Sequence, residues 1–249
     1  MPELPEVERA RALIESAALG RKVAAVDDTD TWVCRPHAPG EIADAVTGAT
    51  LVAAHRQGKA MWVELEDGPP LGLHLGMTGR IVVDGNGDRL RSDRFRIDFE
   101  DGGSLVLRDM RRLGRVVLDP DLSGLGPDAA EVTRRAFRER VGRGTAPLKA
   151  RIMDQSVIAG VGNLLADEAL WRAGLSPVRE AGSLSEEELD GLRRALRAAT
   201  RRAIRLGGVH TGELIPHRER GGACPRCGAA LERATIGGRT TYWCPRHQS

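Results

Sequence analysis

Asp119-Pro-Asp-Leu-Ser-Gly-Leu-Gly-Pro127 divides the chain into halves with different periodicities. Proline removes a backbone donor and glycine relaxes the chain, so nine residues this rich in Pro, Gly and Asp read as a linker. Upstream, from about Val23 to Leu118, short alternating or apolar runs predict strands: Met61-Trp-Val-Glu-Leu65, Phe95-Arg-Ile-Asp-Phe99 and Leu105-Val-Leu107. The dipeptides Asp67-Gly68, Asp84-Gly85 and Asp101-Gly102 suit the tight turns that join antiparallel strands. The upstream half therefore reads as a β-sandwich or barrel. A leading helix is expected, since Val7, Ala10, Leu13, Ile14 and Ala17 recur at helical spacing and Gly20 supplies a stop.

Downstream of the linker, helices are expected over Ala130–Arg143, Pro147–Asp154, Asn163–Arg172 and Ser185–Leu206. Ser185 and Glu188 have the spacing of a capping box. In that last helix Leu189, Leu192, Leu196, Ala199 and Ala203 form the apolar stripe, and Arg193, Arg194, Arg197, Arg201 and Arg205 read as a solvated face.

Of 249 residues 41% are hydrophobic, enough for real cores, and the net charge of +2 conceals an asymmetry. Residues 1–128 carry 16 Lys/Arg against 22 Asp/Glu, and 129–249 carry 21 against 13. A basic second half suits a polyanionic partner, and a solvated basic surface is the plainer alternative. No run reaches the ~18 apolar residues of a membrane helix, and Glu3, Glu6 and Glu8 do not resemble a signal peptide. A monomeric cytoplasmic protein without a membrane partner is the expectation.

Three of the four cysteines fall in the last 26 residues. Cys224-Pro-Arg-Cys227 and Cys244-Pro-Arg-His247 flank sixteen residues in which Ala234–Trp243, centred on Gly237-Gly238, reads as a β-hairpin. Two knuckles bearing three sulfurs and an imidazole predict one tetrahedral structural Zn²⁺ on Cys224, Cys227, Cys244 and His247. A tail this small lacks the core to fold unaided. Cys34 stands apart and reads as a buried small hydrophobe.

Met1-Pro2 carries chemical meaning. Removal of an initiator methionine before proline leaves a secondary amine, which with an α-amino pKa near ~8 is partly neutral and nucleophilic. A proline leading a helix is common, so this position alone does not decide.

The accompanying motifs do. PELPEVE at 2–8, GKAMWVEL at 58–65, HLGMTGR at 74–80, DMRRLG at 109–114 and IMDQSVIAGVGNLLADEALWRAGLSP at 152–177, followed by the zinc hairpin, resemble the formamidopyrimidine-DNA glycosylase and endonuclease VIII family over nearly the whole chain. PELPEVE points to the formamidopyrimidine branch. The resemblance implies an α+β multidomain fold: an N-terminal β-sandwich domain with a leading helix (1–120), a helix-two-turn-helix domain (128–215) and a zinc finger (216–249). It implies a bifunctional DNA glycosylase and abasic-site lyase of base excision repair, acting on double-stranded DNA with damaged bases or abasic sites. Ring-opened or oxidised purines are the first expectation, with oxidised pyrimidines open.

By the same resemblance Pro2 attacks C1′, Glu3 is the acid/base, and Lys59 and Arg239 support the chemistry at the phosphates. His74, Arg94, Lys149, Asn163 and Arg239 occupy DNA-contacting positions, and Met77, Arg111 and Leu113 fill the space left by a flipped base. The turn Gly160-Val-Gly-Asn163 suits an anion. Three features depart from the family pattern: His247 replaces a cysteine ligand, Leu113 replaces an aromatic wedge, and residues 207–223 leave little room for a lesion-capping loop. A non-catalytic damaged-DNA or abasic-site binding protein, or a zinc-ribbon RNA-associated protein, is the competing expectation.

Overall fold

A computed structural model describes residues 2–84 and 89–249, leaving Gly85 of the Asp84-Gly85 turn and Met1 outside the described residues. The chain forms two compact units, Pro2 with Val7–Ser123, and Glu3–Glu6 with Gly124–Ser249.

The first unit contains α1 (Leu4–Ala17) from Val7 onward, β1 (Val23–Asp27), α2 (Glu41–Val46), β2 (Thr50–Gln57), β3 (Ala60–Glu66), β4 (Leu71–His74), β5 (Arg80–Asp84), β6 (Asp93–Phe99), β7 (Ser104–Arg108) and β8 (Arg115–Leu118). The strands make two antiparallel sheets, ordered β1-β6-β7-β5 and β2-β3-β4-β8. Alternation sets which residues face inward. Met61, Val63 and Leu65 of β3 and Phe95, Ile97 and Phe99 of β6 enter one core with Val7, Ala10 and Ile14 of α1. Cross-strand pairs Met61↔Leu73, Leu73↔Val116 and Ile97↔Leu105 hold the register. Cys34 is fully buried in this core, and burial pushes its thiol up to about 12, so it serves packing rather than nucleophilic chemistry.

Helix α2 was not expected from the sequence. Its six residues are too few to show a period, and its N-terminus is satisfied from afar. The buried Asp28 carboxylate accepts the N–H groups of Gly40 (2.8 Å), Ile42 (3.0 Å) and Ala43 (3.1 Å).

The second unit contains α3 (Arg134–Val141), α4 (Leu148–Met153), α5 (Asn163–Ala173), α6 (Glu186–Leu206) and the hairpin β9 (Glu232–Ile236) with β10 (Arg239–Trp243). The apolar stripe of α6 packs with Phe137, Leu148, Ile152, Leu165 and Leu170 into a second core that also takes Leu4. Ser185 and Glu188 complete the expected capping box. Arg194, Arg201 and Arg205 are exposed, and Arg193 and Arg197 half-buried. The expected helix over Ala130–Arg143 is shorter: Asp128 holds Ala130, Glu131 and Val132 in a turn, and Thr133 caps α3 by accepting the Ala136 N–H. Among the described residues no helix is long and apolar enough to cross a membrane.

Asp28→Ala strips α2 of a charged acceptor shared by three N–H groups. A loss of roughly 2–3 kcal/mol is expected in urea unfolding of the first unit, with metal binding by the C-terminal hairpin unchanged. A change below about 0.5 kcal/mol contradicts this account of α2.

Candidate functional site

The Glu3 carboxylate is 1% exposed and sits on the N-terminus of α5. Its oxygens accept the N–H groups of Gly162 (3.1 Å), Leu164 (2.9 Å) and Leu165 (3.0 Å), three donors that a helix leaves unpaired at its first turn. The turn expected to suit an anion does so, and the anion is the chain's own Glu3. Gly162 is required for contact: a Cβ there would lie 2.2 Å from the Glu3 carboxyl carbon. The Glu3 backbone is fixed as well, its N–H donating to Glu6 (2.9 Å) in the reciprocal half of a capping box. The other Glu6 oxygen accepts the Val209 N–H (2.7 Å). Pro2 immediately precedes Glu3, so the residue expected to attack is covalently joined to a side chain held rigidly.

In the first unit the loops after β4 and β7 lie back to back. Gly76 has φ +59° and no room for a Cβ, which would come within 2.3 Å of the Leu113 carbonyl carbon. The Asp109 carboxylate clips both loops, accepting the Thr78 hydroxyl and the N–H groups of Arg111 (3.1 Å), Leu113 (2.7 Å) and Gly114 (2.7 Å). Burial alone would raise its pKa, but the Thr78 and backbone donors outweigh that and hold it below the usual carboxylate value. The result is a rigid base that displays Met77, Arg111 and Leu113 to solvent, with Met77 and Leu113 each 41% exposed. Asp109 was not singled out in the sequence; an aspartate shortly before two arginines reads as an ion pair, whereas its partners are three backbone amides and the Thr78 hydroxyl.

His74 accepts the Gly76 N–H on Nδ1 (3.0 Å), which places the imidazole proton on Nε2. Desolvation of the ring, then the Lys59 and Arg115 cations, lower its pKa and favour this neutral donor form. Arg94, expected at the DNA, also ties down the loop: its Nε donates to the Asp109 carbonyl (2.7 Å), and its guanidinium lies 3.7 Å from Asp30.

Lys149, also expected at the DNA, has no exposed surface. Its ammonium pairs with Asp167 (2.6 Å) and donates to Asn163 Oδ1 (2.6 Å) and Thr241 Oγ1 (2.8 Å). It therefore fastens α4 to α5 and β10, and as placed it cannot touch a phosphate. Asn163 spends its carbonyl on this bond and retains the amide NH₂ as donor. Asp167 also accepts from Arg218 (2.7 Å) and the Tyr242 N–H (3.3 Å), so one buried network orients the hairpin. At its tip, Gly237 and Gly238 have φ of +55° and +71° and present the exposed Arg239.

The hairpin leads to the metal centre. One donor atom from each of Cys224, Cys227, Cys244 and His247 lies within 4.8 Å of all the others. Cys227 and Cys244 sulfurs are 3.5 Å apart, and His247 Nδ1 is 3.9 Å from Cys224 and Cys227. Tetrahedral Zn²⁺ with bonds of ~2.3 Å to sulfur and ~2.0 Å to nitrogen needs edges of this size, so the donors fit zinc. Burial disfavours the Cys224 thiolate, but the Trp171 indole and the Arg226 and Cys227 amides more than compensate and bring the thiol to about 7. Trp171 is covered by Arg226, whose guanidinium lies 3.9 Å from the ring.

The connection between α6 and this centre is short and pinned. Besides Val209, its Glu213 and Leu214 N–H groups donate to the buried Glu168 carboxylate (3.0 and 2.9 Å), and Arg172 bridges Glu168 to Glu213.

Two measurements probe these supports. Because Asp109 is stabilised as a carboxylate, its contribution is present above about pH 4 and is lost as pH falls through its depressed native pKa. The Leu113 and Gly114 amide resonances should shift with a midpoint below 3.8, the ordinary value; a midpoint at or above it removes the clip. Chelation should release one zinc per chain, unfold the β9–β10 hairpin and change Trp171 emission. Complete metal removal with hairpin and fluorescence intact would rule out a structural role.

Comparison with known proteins gives these features a family. Residues 1–116 match the formamidopyrimidine-DNA glycosylase N-terminal domain, 124–213 the formamidopyrimidine-DNA glycosylase H2TH domain, and 221–246 the zinc finger found in FPG and IleRS. The chain is 33% identical to a formamidopyrimidine-DNA glycosylase of Chloroflexus aurantiacus, covering 100% of this chain and 98% of the relative. It is 35% identical to one of Stenotrophomonas maltophilia, with 100% of both covered. Among solved structures, the Lactococcus lactis glycosylase non-covalently bound to DNA with an abasic site superposes with a TM-score of 0.89 at 28% identity over 100% of both chains. MutM in complex with DNA containing carbocyclic 8-oxo-G gives 0.88 at 29% over 100% of both chains. The chain belongs to the formamidopyrimidine-DNA glycosylase family, whose members are DNA N-glycosylases with abasic-site lyase activity, and it carries one structural zinc.

Proposed function

We propose that this chain excises oxidatively damaged bases from duplex DNA and nicks the strand at the resulting abasic site, with Pro2 as nucleophile and Glu3 as acid/base. The observation that carries this reading is the buried Glu3 carboxylate, oriented by three amides of α5 and joined directly to Pro2. With Met1 removed, the neutral Pro2 nitrogen bonds to C1′ as the glycosidic bond breaks and the base leaves with its electron pair. The Glu3 carboxylate takes the proton that the Pro2 nitrogen sheds on bonding to C1′ and passes it to O4′, so the ring C1′–O4′ bond opens and the nitrogen lone pair forms an iminium. The positive nitrogen acidifies the 2′ hydrogens, so loss of one expels the 3′ phosphate; water then frees Pro2.

The first unit supplies Lys59 and neutral His74 for phosphates, and Met77, Arg111 and Leu113 for the gap in the stack. Leucine fills that gap as an apolar wedge. The second supplies the Asn163 amide and Arg239, held by the Lys149–Asp167 network and the zinc. Lys149 and Arg94 act through the groups they position. The 207–223 segment, with Val209, Glu213 and Leu214 bonded to Glu6 and Glu168, is too short and too tied down to supply a long lesion-capping loop. We assign ring-opened and oxidised purines first and oxidised pyrimidines second; a Lactococcus lactis relative has been solved with DNA containing an oxidised pyrimidine. The site of action is chromosomal DNA of a bacterial-type cytoplasm.

Borohydride should trap the methionine-processed protein covalently on abasic DNA. Gly162→Ala, which displaces the Glu3 carboxyl, should slow strand cleavage by about 100-fold or more, and Pro2→Gly with Glu3→Gln should abolish trapping. Salt-sensitive binding with no trapped adduct would identify a non-catalytic abasic-site binder instead.

A further inference from the structure

Strand alternation on β4 and β8 turns Leu71, Leu73 and Val116 into the first core, leaving Gly72, His74, Arg115 and Val117 on the opposite face. Two adjoining depressions lie there. One of about 50 Å³ is lined by Ala60, His74, Arg115, Val117 and Pro120 among others, and one of about 390 Å³ by Arg35, Pro36, Arg115 and Val117. Arg115 and Val117 line both, so one groove runs from the residue after Lys59, past His74, to Arg35.

The far end of this groove is unusual in its charge. Arg35 lies over the Trp32 ring at 4.0 Å, and Trp32 is 53% exposed. Arg35 and Arg115 both donate to the Trp32 carbonyl, Arg115 at 3.2 Å, which brings two guanidinium groups onto one acceptor. Desolvation and the nearby Arg35 charge lower the Arg115 pKa. Among the described residues neither has a carboxylate partner: Asp30 is engaged by Arg112 and Arg94, and Glu41 by His37. Two uncompensated cations held together repel each other until an anion joins them. A guanidinium stacked on an indole keeps its edge N–H groups for a phosphate, and the ring holds it flat at little entropic cost.

We propose that Trp32, Arg35 and Arg115 form a phosphate-binding station that engages the DNA backbone beyond the nucleotides contacted by Lys59 and His74. The proposal rests on the reading of Lys59 and His74 as DNA contacts. It gives the acidic first unit a local cationic track along which duplex flanking the lesion is held, and it assigns Trp32 to orienting Arg35 rather than to reading a base.

The test is the salt dependence of binding to a duplex with a stable abasic analogue. Each phosphate neutralised contributes about 0.9 to the slope of log affinity against log salt, so Arg35→Ala with Arg115→Ala should lower that slope by about 1.8 on a long duplex. Shortening the duplex stepwise from one side should bring the wild-type slope down to that of the double variant. Arg35→Lys with Arg115→Lys should restore most of the slope. A double alanine variant with the wild-type slope on the long duplex overturns the station alone, whatever its melting temperature. Wild-type protein that does not bind the duplex, or whose slope is unmoved by Lys59→Ala with His74→Ala, overturns the underlying reading and the station with it.

Discussion

The Glu3 carboxylate on the first turn of α5 is the interaction on which the second unit and the proposed chemistry both depend. A buried carboxylate is costly unless its oxygens are fully engaged, and three amides at the positive end of a helix engage them. Hydrogen bonds to a charged acceptor contribute roughly 1.5–3 kcal/mol each, enough to hold the start of the chain in one place. That placement fixes Leu4 in the second core and leaves Glu6 free to secure the Glu3 amide and Val209. A single side chain thereby joins the N-terminus of the chain, a helix start and the proposed proton-transfer group.

The same device recurs wherever the chain must hold an exposed functional group still. Asp109 gathers three amides and a hydroxyl so that Met77, Arg111 and Leu113 stand on a rigid base; Glu168 takes two amides of the α6–zinc connection. Lys149 is the cationic counterpart, buried among Asp167, Asn163 and Thr241. Each of these supporting groups is buried. Charge is thus used to set geometry around the residues proposed to meet DNA.

The zinc centre extends this logic to a segment too small to bury its own core. Cys224 is tied through the Trp171 indole to α5, and Gln248 links the second knuckle to the Leu175 carbonyl. The hairpin is consequently anchored at its base by metal and along β10 by the Lys149–Asp167 network, so Arg239 is carried on a stiff arm.

The sequence by itself determined everything whose signal is local. Alternation in Met61–Leu65 and Phe95–Phe99 specified strands, the Ser185–Glu188 spacing specified a helix start, and the two knuckles specified a metal, because each depends on spacing within one element or one turn. The motifs likewise carried the family. Tertiary structure alone decided the partners. Asp28 caps a helix twelve or more residues away, Asp109 binds amides rather than the adjacent arginines, and Glu3 occupies the turn that looked ready for a phosphate. Lys149 was expected at the DNA, yet it is a buried strut, since a lysine shows its charge in the sequence but not its burial. Backbone amides are identical at every residue, so nothing in a sequence marks which of them a distant carboxylate will claim.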